Sequence, residues 1–432
     1  MSGYLSAQEA ARRLGVTRAT LYAYTSRGLV QSVPVPGQPR ERRYSAEDVQ
    51  RLKDRKEARG DPAKAAARGL DWGSPVLESS LTLIQNGRLY FRGQDALELA
   101  ERATLEDVAA LLWQAETAER ARLFDQPGRL APAQWARLRA ATADPITLMQ
   151  AALPLAGAAD LAAYDLRPVT VRQTGARILR LFASAVTSQH ARAPLHRALQ
   201  AAWAPRKTEL GEALRTALVL CADHELNISA FAARCTASAG ASPYDAVSAA
   251  MAALKGYKHG GATERVAALF AEAGKPHRAE AALGRWLRRG ERIPGFGHPL
   301  YPHGDPRAAL LLRLAKSAGN QSEWRLVRAL SEAGGRLLHE LPNLDFGLVA
   351  LARVYRLPEH APLILFALGR TAGWIGHVLE QYALDKLIRP RARYTGPPIP
   401  SEAQSSDPGG ARAARAGKRP AMRPPTTPAA QS

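Results

Sequence analysis

The chain has 432 residues, 46% of them hydrophobic and 23% charged. That balance suits a folded protein with a large core and excludes a collagen-like or wholly disordered chain, while two cysteines, Cys221 and Cys235, exclude a disulfide framework. The net charge of +20 favours polyanionic partners, nucleic acid or phosphorylated ligands, without choosing between them.

The opening residues Met-Ser-Gly-Tyr-Leu-Ser show no basic-then-apolar leader pattern. Apolar runs such as Ala361–Leu368 are too short to cross a bilayer. A cytoplasmic protein with no membrane partner is expected, with both cysteines as reduced core residues. Ser6 with Glu9 forms a capping box that opens a helix, and Gly15 ends it. Thr17 caps a second helix, Arg18 to about Arg27, stopped by Gly28. Val33, Val35, Pro36, Gly37 and Pro39 suit a short two-stranded wing, and Ser45 with Asp48 caps a third helix. Residues 1–56 therefore read as a small helix–turn–helix–wing–helix unit, and residues 1–60 carry 12 Lys/Arg against 6 Asp/Glu. Residues 57–73, rich in Ala, Arg and Gly, read as a linker.

Residues 74–396 are mostly helical by pattern. Leu97–Trp113, Ala213–Cys221 and Leu363–Leu379 carry apolar residues at three- and four-residue spacing. Leu81–Tyr90 reads as a hairpin around Asn86-Gly87. No βαβ alternation occurs, so the fold class is mainly α. Residues 397–432 are dominated by Pro, Ala, Ser, Gly and Arg and are expected to be a disordered basic tail. All ten histidines lie between 74 and 396, which places any chemistry there.

Four motifs in that region carry reactive groups. Asp223-His224-Glu225-Leu226-Asn227 comes first, then Lys255-Gly-Tyr-Lys-His259-Gly-Gly261. The third, Pro294-Gly-Phe-Gly-His298 through Asp305-Pro-Arg307, puts a histidine in a Gly/Pro-rich loop nine residues before an arginine. Such a loop joins a group that polarises near neutral pH to one that grips a carboxylate. The fourth, Leu341-Pro-Asn-Leu-Asp345, holds a lone acid, and Gly369-Arg370 and Ile388-Arg389 follow. Each has a plainer reading: His259 as a turn residue, Asp345 as a helix cap, Arg370 as a surface charge. The apolar run before Arg370 argues for burial, where an arginine needs an anionic partner. His298 and His303, five apart in a loop without a third ligand, do not make a metal site.

In this order the motifs, with Gly87-Arg-Leu-Tyr-Phe-Arg-Gly93 and Leu111-Leu-Trp113 upstream, resemble the citrate synthase family over about residues 74–396. The resemblance implies a two-domain helical fold, a large domain with an inserted small domain at roughly 262–360. It implies Claisen-type condensation of acetyl-CoA with oxaloacetate, with no permanently bound cofactor and no metal. By position Asp345 is then the base, His259 the donor to the thioester oxygen, and His298 the group that polarises the keto oxygen. His224, Arg307 and Arg370 would hold oxaloacetate, with Arg389 lent by the partner in a homodimer. Ile293, Pro294, Gly295, Phe296 and Gly297 would line the CoA site, and Gly260 and Gly261 would let the thioester approach His259. Thr263, Tyr257-Lys258 and Pro299 depart from the usual family residues. They leave 2-methylcitrate synthase and citryl-CoA lyase as alternative activities, and a metabolite-sensing DNA-binding regulator as an alternative role.

Residues 5–56 resemble the winged helix-turn-helix of the MerR and excisionase type, through Leu5 to Tyr22, Arg27-Gly-Leu-Val and Arg42-Arg43-Tyr44-Ser45. The resemblance implies a DNA partner, with Arg18, Thr20 and Tyr24 facing bases and Arg40, Arg42 and Arg43 meeting phosphates. Leu14, Val16, Leu21 and Leu29 would form its core. A domain that kept this fold without binding DNA is the alternative.

Overall fold

The computed structural model describes residues 4–35, 38–46, 48–50, 52–53, 77–120, 122–128, 130–188, 194–392 and 394–397. The expected linker 57–73 and the expected tail beyond Pro397 lie outside these residues. The chain divides into two compact units, Met1–Ile388 and Arg389–Ser432.

At the N-terminus, strand Gln38–Ser45 pairs antiparallel with Tyr4–Leu5 on one side and Ser32–Val35 on the other. Helix Ala7–Leu14 opens on the expected capping box: Glu9 N–H donates to Ser6 Oγ at 3.3 Å and Ser6 N–H donates to the Glu9 carboxylate at 3.0 Å. Gly15 ends that helix in the left-handed region, φ +61°. Helix Arg18–Ser26 follows, capped by Thr17. Asp48 N–H donates to Ser45 Oγ at 3.2 Å, and residues 46, 48–50 and 52–53 are helical.

The core of this N-terminal segment is Ala10, Ala11, Leu14, Leu21, Val30, Tyr44 and Val49. Leu29 is not in it. Leu29 N–H closes the turn onto Tyr24 O after left-handed Gly28, and the chain bends at Leu29 and Val30 before the strand begins at Ser32. That turn leaves Leu29 41% exposed and Val30 buried.

In the large helical region the hairpin forms as expected, Thr82–Gln85 with Arg88–Phe91, around Asn86 and Gly87 at φ +53° and +71°. A third short strand, Gln94–Asp95, extends it. The single helix expected over Leu97–Trp113 is two, Ala96–Arg102 and Leu105–Leu112. Ala103 is extended, and Thr104 makes a capping box with Asp107 that restarts the helix. The apolar period runs through the break because Leu99, Ala100, Leu105, Val108 and Leu112 all enter the same core.

Helix Ala361–Leu384 runs through the centre of that core. Its 24 residues are long and apolar enough to span a bilayer, contrary to the reading of 361–368 alone, but the surrounding helices bury nearly all of it. Around it pack Pro168–Thr187, Thr208–Leu220, Ile228–Ser238 and Pro243–Leu254. Helices Ala262–Ala273, Ala279–Arg288, Pro306–Ser317, Gln321–Leu338 and Leu344–Tyr355 pack largely on one another. Cys221 is fully buried and Cys235 half-buried, both as thiols.

Candidate active site

His259 lies in a tight run of turns between helices Pro243–Leu254 and Ala262–Ala273, with its N–H donating to Gly256 O at 2.8 Å. Gly260 and Gly261 serve this packing. A Cβ on Gly260 would meet Leu254 at 2.7 Å, and one on Gly261 would meet Lys255 O at 2.6 Å. Nε2 of His259 lies 2.8 Å from Ser229 Oγ, which also accepts from the Trp374 indole N–H at 3.1 Å. Ser229 is placed by Asn227, whose carboxamide oxygen caps helix Ile228–Ser238. The Ser229 hydroxyl has one proton and two acceptors in reach, Asn227 Oδ1 at 2.7 Å and His259 Nε2. When it is turned to His259, the imidazole proton resides on Nδ1. Burial, helped by the Arg370 charge, brings the His259 pKa down to about 3, so the ring is neutral.

His298 stands in the loop between helices Ala279–Arg288 and Pro306–Ser317. That loop is laced to the segment before Asp345: Gly297 N–H donates to Leu341 O and Asn343 N–H to Gly295 O, both at 2.9 Å, and Asn343 Nδ2 donates to Gly297 O at 3.2 Å. Gly295 and Gly297 adopt φ +87° and +67°, which lets the loop turn against Phe346 and Glu340. Ile293 and Phe296, expected to line a ligand, are buried core residues, and the backbone groups of Gly295 and Gly297 just named are already bonded to the chain. Leu300 N–H donates to Nδ1 of His298 at 3.2 Å, which leaves the ring proton on Nε2. Burial and the nearby Arg307 bring its pKa down to about 4.

Around His298 stand two more polar rings. The His224 and His298 centroids are 5.1 Å apart, and His224 Nε2 lies 3.0 Å from the Tyr301 hydroxyl. Burial first, then Arg307 and Arg370, holds His224 well below its ordinary pKa. Arg307 is 3% exposed and already forked onto Asp305, with Nε and Nη2 donating at 2.9 and 2.8 Å. Only its outer edge is left for a ligand. Asp305 also accepts from Leu344 N–H at 3.0 Å, tying Arg307 to the helix that bears Asp345.

Asn343 caps helix Leu344–Tyr355 by accepting from Asp345 N–H at 3.1 Å, so Asp345 is not the cap. The Asp345 carboxyl makes no hydrogen bond or ion pair among the described residues. Burial raises its pKa to about 7 against the pull of Arg307. Arg370, 1% exposed, donates from Nε to Cys221 O at 2.8 Å and lies 4.8 Å over the Phe366 ring. No carboxylate among the described residues pairs with it, an arrangement that calls for an anionic ligand.

The structure thus places Arg307, Arg370, His298 and His259 within electrostatic reach of His224, and Asp345 within reach of Arg307 and Arg370, in one largely buried site. Arg389 is exposed and belongs to the second unit. Ser229, Tyr301, Asp305 and Phe366 escaped the sequence reading. Phe366, whose ring is edge-on to His259 at 5.7 Å, lies one turn before Arg370, and Asp305 lies two residues before Arg307. Those spacings were the available signal. Among the described residues no three His, Cys, Asp or Glu side chains group to hold a metal ion.

In the N-terminal segment, Arg18 and Arg43 are exposed, and Arg42 is held by Ser32, with Nε donating to Ser32 Oγ at 2.8 Å. The Arg40 side chain lies outside what is described. Thr20 hydrogen-bonds Thr17, and Tyr24 packs on the core, whereas Tyr22, 52% exposed, faces out of the same helix.

Residues 69–391 match the family described as "Citrate synthase, C-terminal domain", and residues 5–60 match "MerR HTH family regulatory protein". Citrate synthase 2 of Bacillus subtilis is 31% identical over 363 residues, covering 77% of this chain and 96% of the relative. The 2-methylcitrate synthase of Mycobacterium tuberculosis is 32% identical over 341 residues, covering 72% and 86%. Among solved structures, the citrate synthase of Thermoplasma acidophilum in ternary complex with carboxymethyl coenzyme A and oxaloacetate matches with a TM-score of 0.68 and 25% identity. It covers 77% of this chain and 97% of that one.

Proposed function

The chain belongs to the citrate synthase family, and from that premise we propose how its own residues condense acetyl-CoA with oxaloacetate to give citrate and CoA. It is a citrate synthase-type acyltransferase with a MerR-type helix-turn-helix unit at its N-terminus. The observation that carries the reading is the buried Arg370 without a carboxylate partner beside an acid whose pKa lies near 7.

Asp345 takes a proton from the acetyl methyl group. His259, neutral and with its proton on Nδ1 once the Ser229 hydroxyl turns from Asn227 to Nε2, donates to the thioester oxygen as it gains enolate charge. The enolate carbon attacks the keto carbon of oxaloacetate, whose oxygen is polarised by the Nε2–H of His298. Arg370, the outer edge of Arg307, and His224 receive the carboxylates. Water then cleaves the citryl thioester and releases CoA thiol. The loop Ile293–Gly297 is assigned to CoA through those backbone groups not already bonded to residues 341–343.

We propose a homodimer, supported by a run of exposed apolar residues, Leu155, Leu161, Tyr164 and Val169, spanning the junction of helices Pro145–Ala158 and Pro168–Thr187. In that assembly Arg389 is assigned to the partner protomer's site.

Purified protein with oxaloacetate and acetyl-CoA is expected to release free thiol. Propionyl-CoA is the competing substrate to run alongside, since a 2-methylcitrate synthase is among the relatives. No release above background with either thioester would refute the reading, and preference for propionyl-CoA would move it to 2-methylcitrate synthesis.

For the N-terminal segment we propose DNA binding, supported by the exposed Arg18 and Arg43 and by the wing. The full chain is expected to bind a mixed-sequence duplex at low salt. With about three phosphate contacts, affinity would fall close to the third power of salt concentration. A flat salt response, or binding unaffected by alanine at Arg18, Arg42 and Arg43 together, would count against it.

A further inference from the structure

Helix Ala361–Leu384 presses one face against the segment leading to His224, too closely for any side chain larger than hydrogen. A Cβ on Gly369 would stand 2.5 Å from Leu218 O, and one on Gly373 would stand 2.5 Å from Ala222 O. Three consecutive residues are then tied to three positions along that face. Arg370 Nε donates to Cys221 O at 2.8 Å, Gly373 N–H donates to Ala222 O at 2.9 Å, and His377 Nε2 lies 3.3 Å from Asp223 Oδ1. The first tie belongs to the site already described, and the second is backbone alone. The third joins two titratable side chains, both fully buried, that the condensation does not use.

Asp223 accepts from the Thr82 hydroxyl on its other oxygen, whereas the approach of His377 Nε2 to Asp223 Oδ1 falls short of hydrogen-bond geometry and neither His377 ring nitrogen has another polar partner among the described residues. Burial pushes the Asp223 carboxyl up, but His377 and then Arg370 pull it further down, so it stays ionised. A buried carboxylate needs its donors. The guanidinium whose charge reaches Asp223 is Arg370, the one that lacks a carboxylate of its own.

We propose that His377 is a positioning residue for oxaloacetate: by engaging Asp223 it sets the register of Cys221–His224 on the helix and keeps Asp223 from competing for Arg370. This rests on the assignment of His224 and Arg370 to oxaloacetate. Its effect on binding falls on oxaloacetate, because the CoA loop and Asp345 lie on other elements and His259, which Ser229 and Trp374 hold from these ones, acts mainly in the transition state.

The test is oxaloacetate binding by calorimetry to the full chain, with KM for each substrate measured in parallel. His377→Leu keeps bulk and loses the donor, and His377→Asn keeps polarity but draws its amide back from Asp223. His377→Gln places an amide N–H near the Nε2 position. Leucine and asparagine are expected to weaken oxaloacetate binding by about 10–100-fold, with KM for acetyl-CoA changed less than about twofold and glutamine recovering most of the loss. Should the leucine protein fail to fold, the asparagine and glutamine pair decides. Unchanged oxaloacetate binding in the asparagine variant, or equal losses for both substrates that glutamine does not recover, would overturn the proposal. Wild-type protein that binds no oxaloacetate would overturn the parent assignment instead, and this one with it.

Discussion

Asp345→Ala is expected to lower turnover by about 10³–10⁴-fold while oxaloacetate affinity stays within a few-fold of wild type. The size follows from what the carboxylate does. A thioester methyl proton is a very weak acid, and Asp345 is an acid in the site with neither a cap duty nor an ion pair, since Asn343 holds the helix terminus. Its pH signature separates it from a structural acid. The base must be ionised, and burial has raised its pKa to about 7. Below that value kcat/KM should fall about tenfold per pH unit, and above it the rate should level off. His259 and His298, with pKa values near 3 and 4, stay neutral throughout this window and add no limb of their own. Stopped assays of thiol release between pH 5.5 and 8.5, with oxaloacetate binding measured by calorimetry, check both parts. A variant that keeps turnover, or a wild-type profile flat through pH 7, would remove Asp345 as the base.

The second large effect is expected at His259. His259→Ala should cost about 10²–10³-fold in kcat, the usual range for a lost oxyanion donor. Binding of both substrates should change little, because the donor matters most when charge has moved onto the thioester oxygen. The neutral ring depends on burial and on Arg370, and its tautomer depends on Ser229, which is held in turn by Trp374 and Asn227. A loss confined to KM would place His259 in ground-state binding instead. Hydrogen exchange at the acetyl methyl group, followed with oxaloacetate present, reads enolate formation directly and should fall in step with kcat.

Much of this was written locally. The capping box at Ser6 and Glu9, the Thr17 cap, and the Asn86-Gly87 turn each depend on a few neighbouring residues and formed where the pattern put them. Local signals misled where two elements share one buried face. The break at Ala103 was hidden because the apolar period continues through it, and Leu29 is exposed beside buried Val30 because the turn at Gly28, not residue type, decides which of the two faces inward.

The reactive groups of the site were legible one by one, since each lies in a motif whose residue types speak for a reaction. Their states were not. Whether Asp345 or Asn343 caps the helix, whether Arg307 is free or forked onto Asp305, and whether Gly260 faces a ligand or Leu254 all depend on how the folded chain packs and not on residue type. The same holds for the pKa values, because desolvation is a property of everything packed around a group and not of its neighbours in sequence. By itself the sequence determined the local caps and turns, the helical class, and the identity of the acid, the histidines and the arginines. Only the tertiary structure decided which of them stand uncommitted, neutral or ionised in one site, because long-range packing alone sets burial and hydrogen-bond partners.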